Sequence, residues 1–165
     1  MSFAAVLFAA VTVNAAPAVI ECRIDSLKLL NGAAVETLNE VKVLKLVSKS
    51  DKDHPQGIMT FKLDPDVEFY TLSYQVKTEN IVSRKNDMYG ADIILRPSKG
   101  GALRFSSNGT YRCDVGTSDW KNVSFKINAK RYLKEQPITM ILRIAYAPGT
   151  AWYKDIKLTP VVPKK

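Results

Sequence analysis

The sequence predicts an all-β fold, a two-sheet antiparallel β-sandwich built as a single domain. Three observations predict it. From Val41 onward, apolar and polar residues alternate in short runs, the period of a strand with one buried face. Clusters of turn-forming residues, such as Asp64-Pro65-Asp66, Ser107-Asn108-Gly109 and Pro148-Gly149, separate those runs. A chain of 165 residues, 46% of them hydrophobic, can bury a sizeable core, and no long amphipathic helix is visible in it.

The elements follow in order. Residues 1–16 are almost wholly small or apolar, with an apolar run over 3–13 and small residues at Val13-Asn14-Ala15 suited to cleavage. They read as a signal peptide, too short to cross a bilayer, and residues 17–165 read as the domain. Residues 25–40 carry no clear pattern, and 33–39 reads as one helical turn. Residues 41–47 form a β-branched strand, and 48–55 a polar loop. In 57–63, Met59, Phe61 and Leu63 share a face. In 69–77, Tyr70, Leu72, Tyr74 and Val76 face the core, while Thr71, Ser73, Gln75 and Lys77 face the other way. A loop at 83–89 leads to a strand at 91–96, closed by Pro97 and Gly100-Gly101. Residues 103–105 and 111–115 flank the turn at 107–109. Strand 121–127 turns Val123, Phe125 and Ile127 inward. Strand 138–146 turns Ile138, Met140, Leu142, Ile144 and Tyr146 inward, and 151–158 turns Trp152, Ile156 and Leu158 inward. Pro160 and Pro163 end the domain.

The 24 Lys+Arg against 16 Asp+Glu give a formal net charge of +8, which favours anionic partners. The basic residues are spread along the chain, clustering only in short pairs and at Lys164-Lys165. With no basic stripe and no nucleic-acid-binding motif, no nucleic-acid partner is expected. Cys22 and Cys113 admit two readings: one disulfide in an oxidising compartment, or two buried free thiols. Without a close Cys or His pair, a zinc site is not expected.

Catalysis finds little footing. His54, the sole histidine, sits in a polar loop before Pro55, where solvation is the expected fate. No nucleophile motif or phosphate-cradling glycine motif is present. Asp64 and Asp66 stand in a turn, where Asp serves the backbone. The expectation is therefore a protein that is not an enzyme. Asn108-Gly109-Thr110 and Asn122-Val123-Ser124 match the glycosylation acceptor pattern, which matters only in a eukaryotic secretory route.

Three passages carry a resemblance. They are Tyr70-Thr-Leu-Ser-Tyr-Gln-Val-Lys-Thr78, Gly116-Thr-Ser-Asp-Trp-Lys-Asn-Val-Ser124, and the closing Pro148-Gly-Thr-Ala-Trp-Tyr-Lys-Asp-Ile-Lys-Leu158 with its Gly-x-x-Trp-x-x-Asp-x-x-Leu spacing. In order and spacing over roughly 90 residues they resemble carbohydrate-binding modules of the galactose-binding-like jelly-roll superfamily, of the family 4/9 type. The opening segment of those modules is not recognisable between Ala16 and Glu40.

The resemblance implies that strands 41–47, 69–77, 121–127 and 151–158 share one sheet. Strands 57–63, 91–96, the 103–115 pair and 138–146 share the other. It implies a glycan ligand on the concave face of the second sheet. There the outward phase presents Asp92, Arg96 and Arg143, with Tyr89 and Tyr111 at the edges. The arginines would hydrogen-bond carboxylates or vicinal hydroxyls, Asp92 would accept from hydroxyls, and the tyrosines would stack. The basic character of that face suits an acidic glycan. Trp120 and Trp152 are expected in the core. The resemblance also implies a structural calcium ion near Asp155, joined by Glu21 or Asp25. The function so implied is a non-catalytic carbohydrate-binding module, monomeric and either secreted, periplasmic or at the cell surface. An exported structural or protein-interaction sandwich without a sugar ligand, an envelope or adhesion component, is the alternative.

Overall fold

The alternating runs close into two six-stranded sheets. The computed structural model describes residues 16–84 and 88–162. The leader read over 1–16 therefore lies, but for Ala16, outside the described residues, as does the Lys164-Lys165 tail. The strands are β1 (Ile20–Glu21), β2 (Lys28–Leu30), β3 (Ala33–Leu38), β4 (Val41–Ser48), β5 (Gln56–Phe61), β6 (Phe69–Ile81), β7 (Gly90–Pro97), β8 (Leu103–Ser106), β9 (Gly109–Thr110), β10 (Gly116–Asn128), β11 (Ile138–Ala145) and β12 (Gly149–Pro160). Among the described residues, a 3₁₀ turn spans Ile24–Ser26, and one short helix, α1, spans Ala129–Tyr132.

Sheet I has the order β10-β6-β12-β4-β3, with β1 also paired to β12. Sheet II has the order β2-β5-β11-β7-β8-β9. The strand pairs are antiparallel. This is the two-sheet division that the sequence implied, and the jelly-roll sandwich it predicted. The core lies between the sheets. Tyr70, Leu72, Tyr74 and Val76 of β6 and Leu44 and Leu46 of β4 meet Ile93 and Leu95 of β7 and Met140, Leu142 and Ile144 of β11, all buried. Each such aliphatic side chain contributes about 1.5–3 kcal/mol of hydrophobic stabilisation.

The structure corrects the sequence reading at four places. Residues 33–38 are a strand, not a helical turn. They pair with β4 through the hairpin residues Asn39 and Glu40, both at positive φ (47° and 67°), a geometry that matches the right-handed twist of the flanking strands. The partner of β8 is Gly109–Thr110 rather than 111–115; Asp114 instead bridges Ala91 of β7. Tyr146 leaves β11 at φ 54° and is 49% exposed rather than inward.

The fourth correction concerns β12. Its register against β6 shifts between Lys154 and Lys157, and Asp155 takes φ 52°, so the strand carries a β-bulge. The extra residue reverses the alternation: Ala151 and Tyr153 point inward before the bulge, Ile156 and Leu158 after it. Trp152 therefore faces outward from sheet I. Trp120 lies on that same outer side, partly exposed, with the Lys154 ammonium 4.4 Å from its ring centre.

Gly149 opens β12 at φ 137°, and a Cβ there would stand 2.6 Å from Ile81 Cα and 2.8 Å from Asn80 O. Neither backbone can yield cheaply. Gly149→Ala is expected to lower the free energy of unfolding by about 2 kcal/mol or more, read from urea denaturation midpoints. A midpoint equal to that of the wild type would contradict this packing.

Candidate ligand-binding face

The register of sheet II lays its outward side chains in rows. Gln56, Arg143 and Asp92 form one row; Ile58, Ile141, Ile94 and Arg104 form the next; Thr60, Thr139 and Arg96 form a third. The inner phase of the same strands is apolar, which is why alternation places Asp92, Arg96 and Arg143 on the outer face.

Asp92 is fully buried at the centre of this face. Arg143 binds it side-on, Nε to Oδ1 at 2.8 Å and Nη2 to Oδ2 at 3.3 Å. From the other flank, Arg104 donates from Nε to Oδ2 at 2.7 Å. Arg104 Nη2 also donates to the Met88 carbonyl at 3.2 Å and contacts Cys113 Sγ at 2.9 Å. Asp92 thus lies beneath the arginines, out of reach of a sugar hydroxyl, which corrects its expected role as a direct acceptor. It orients two guanidinium groups. Arg104 went unassigned in the sequence reading, although its alternation with Leu103 and Phe105 is the signal that places it outward.

Three aromatic rings gather at the end of sheet II nearest this triad. The His54 and Tyr146 rings meet edge-on at 4.3 Å, and Tyr146 meets Tyr89 at 4.9 Å between ring centres. The backbone N–H of Tyr146 donates to His54 Nδ1 at 3.4 Å. His54 and Tyr146 both hold positive φ, 45° and 54°, a conformation that bulky side chains rarely adopt. Of the residues selected from sequence, the structure brings Tyr89 and Arg143 together at this end. Arg96 is exposed in the third row, and Tyr111 stands outside the rows, its N–H donating to the Arg104 carbonyl at 3.2 Å. His54 and Tyr146 were missed because a loop histidine and a strand-end tyrosine carry no pattern until the strand ends converge.

The outer face of sheet I is built differently. Trp152 is 9% exposed, its Nε1 donating to Glu36 at 3.4 Å and its ring flanked by Lys45 and Lys77 at 5.7 and 5.8 Å. A sugar cannot stack on a ring so covered. Beyond Trp152, a groove of about 690 Å³ runs over Ser73, Gln75, Asn122, Ser124 and Asp155. Asp155 accepts from Gln75 Nε2 at 3.1 Å. Asp25 is drawn to Lys42 at 3.1 Å and to Arg23 at 3.7 Å, and the Lys42 hydrogen bond holds its carboxyl below the usual range. Among the described residues no three acidic, His or Cys side chains form a metal-binding group. A calcium ion needs a cage of hard oxygens, and Arg23, Lys42 and Lys157 line this groove beside Asp155 and Glu21. The residues present do not fit the ion.

Both cysteines are buried free thiols, Cys22 against sheet I and Cys113 beneath Arg104, and burial pushes each up to about 12. Neither is expected to react with a thiol reagent at pH 8 in the folded chain, and both are expected to react in guanidinium. A denatured chain that titrates no thiol would show a disulfide instead.

In fold the chain is similar to solved carbohydrate-binding modules. One is a family 4 module, 10% identical over 80% of each chain with a TM-score of 0.51. Another is the family 30 module of a cellulosomal cellulase from Clostridium thermocellum, 20% identical over 87% of each chain with a TM-score of 0.51. A third is the family 11 module of the same organism in complex with a β-1,3-1,4-mixed-linked tetrasaccharide, 9% identical over 90% of this chain and 91% of that one, with a TM-score of 0.53. The chain thus shares the two-sheet jelly-roll fold of these modules. At these identities the likeness is one of architecture, not of side-chain chemistry. No protein-family model matches the sequence, and no curated protein matches it.

Asp92→Asn keeps the shape of the side chain and removes the charge that two arginines share. It is expected to cost about 3 kcal/mol of stability, and Arg143→Ala less, because Arg104 still pairs with Asp92. Equal losses in the two variants, measured by chemical denaturation, would mean that Asp92 does not organise the face.

Proposed function

We propose that this chain is a non-catalytic carbohydrate-binding module that takes a poly- or oligosaccharide on the outer face of sheet II. One observation carries the reading: Arg104 and Arg143 are locked on either flank of one buried carboxylate, toward the end of sheet II where the His54, Tyr146 and Tyr89 rings cluster. A pyranose offers an apolar C–H face and equatorial hydroxyls. Exposed rings take the first, and guanidinium groups in fixed planes take the second. Because the arginines are already ordered, binding does not cost their rotamer entropy again. Two of the three rings are held in strained backbone, as is common where structure is kept for a ligand. The fold-level likeness to a module solved with a tetrasaccharide supports the same reading. Binding alone is assigned to this face. Export is part of the proposal and rests on the apolar leader; no helix among the described residues is long and apolar enough to cross a membrane.

Affinity electrophoresis and calorimetry against mixed-linkage β-glucan, galactan and polygalacturonate test it. The chain is expected to be retarded by at least one of them. Tyr146→Asn, which removes the ring yet tolerates positive φ, and Arg143→Ala are each expected to weaken binding about tenfold, some 1.4 kcal/mol. A chain retarded by none of the three overturns the proposal, and undiminished binding in both variants moves the site off this face.

A further inference from the structure

Tyr111 is placed by the fold in a second, separate setting. At the end of sheet II away from the ring cluster, a groove of about 410 Å³ lies between the β7–β8 loop and α1. Tyr111 and Tyr132 line it, 59% and 44% exposed, as do Lys99, Arg131, Lys134 and Glu135. Three cations thus face one carboxylate. The Arg131 guanidinium lies 5.0 Å from the centre of the Tyr132 ring. Gly100 and Gly101 form an open stretch of backbone: a Cβ on Gly101 would meet nothing within 4 Å, and one on Gly100 only Pro97 Cγ at 3.9 Å.

Tyr111 holds φ 63°, a left-handed conformation that costs a non-glycine residue about 1–3 kcal/mol. Core packing does not repay that cost, because the side chain is largely in solvent. A strained, exposed aromatic beside a second exposed aromatic and a surplus of positive charge is the makeup of a site for a ring that carries an anionic group.

We infer that this groove is a second binding site, for a uronate residue of an acidic polysaccharide. The pyranose ring would lie against Tyr111 and Tyr132, and its carboxylate would meet Arg131 and Lys134. A guanidinium already steadied over Tyr132 offers a carboxylate its paired N–H donors. The inference rests on the glycan-binding proposal only for the class of ligand; no residue is shared between the two sites. They lie toward opposite ends of β7, whose eight residues span about 23 Å. One polysaccharide chain can therefore engage both, each contact raising the effective concentration of the other.

Amide chemical-shift mapping on the ¹⁵N-labelled full chain separates the possibilities, with oligogalacturonate as the acidic probe and a mixed-linkage gluco-oligosaccharide as the neutral one. Oligogalacturonate is expected to shift the amides of Gly100, Gly101 and Tyr132, and the neutral probe is not. Affinity at the groove is expected to fall about tenfold in the double variant Arg131→Gln, Lys134→Gln, and to fall as salt is raised. Tyr146→Asn is expected to leave these shifts in place. Groove amides that stay still with oligogalacturonate overturn the inference, as do shifts of equal size and midpoint in the double variant. A groove that responds while the amides around Tyr89 and Tyr146 stay still with both probes leaves this site standing and removes the first. The reverse pattern removes the groove alone.

Discussion

A carboxylate that water cannot reach has to be neutralised where it stands. Asp92 sits on β7, with no exposed surface, and withdrawing an unpaired charge from water costs several kcal/mol. The strands on either side answer that demand: Arg143 comes from β11 and Arg104 from β8. Much of sheet II is arranged around this pairing. Arg104 also holds the Met88 carbonyl, which anchors the segment entering β7, and it covers Cys113, which pins the chain that returns from β9. Such a triad adds little net stability over an apolar equivalent. Its contribution is orientation, since two guanidinium planes are fixed on a face whose strand ends also gather the rings of His54, Tyr89 and the exposed Tyr146.

Sheet I spends its aromatic residues differently. The bulge at Asp155 turns Trp152 outward, and the lysines on neighbouring strands lay their stems and ammonium groups across it. Lys154 does the same for Trp120, and Lys126 for Phe69 at 4.3 Å. Long cationic side chains that bury their methylenes on a ring while keeping the charge wet satisfy both groups at once. Part of the net positive charge is thereby committed to covering this face. Glu36 closes the arrangement, its carboxyl held below the usual range first by the Lys45 hydrogen bond at 2.6 Å.

The two faces account for the division of labour between the proposed sites. On sheet I, Trp152 is covered by its lysines, whereas Tyr146 and Tyr111 on sheet II are about half or more exposed. Tyr146 and Tyr111 share one feature, a positive φ at an exposed aromatic, and each sits where a strand has just ended. Between them run the outward rows of sheet II, in which an apolar line of Ile58, Ile141 and Ile94 separates the Arg143 row from the Arg96 row.

Alternation in 69–77, 121–127 and 138–144 determined, from sequence alone, which strands form and which face of each is buried, because a period of two has one apolar side; 41–47 was legible as a strand from its β-branched residues. The division into two sheets came from the resemblance to jelly-roll modules that the three passages carry. Arg143, Arg96 and Asp92 were legible as outward residues for the same reason. What the sequence did not determine was everything that depends on broken phase or on convergence. A single bulge at Asp155 reversed the side of Trp152, and nothing local announces an extra residue in a strand. The strand at 33–38 was hidden in helix-forming residues, since pairing with β4 rather than propensity decided it. Asp92 could be placed on a face but not at a depth, because burial is set by two arginines 12 and 51 residues away. Only the tertiary structure could bring those together, and with them His54, Tyr89 and Tyr146.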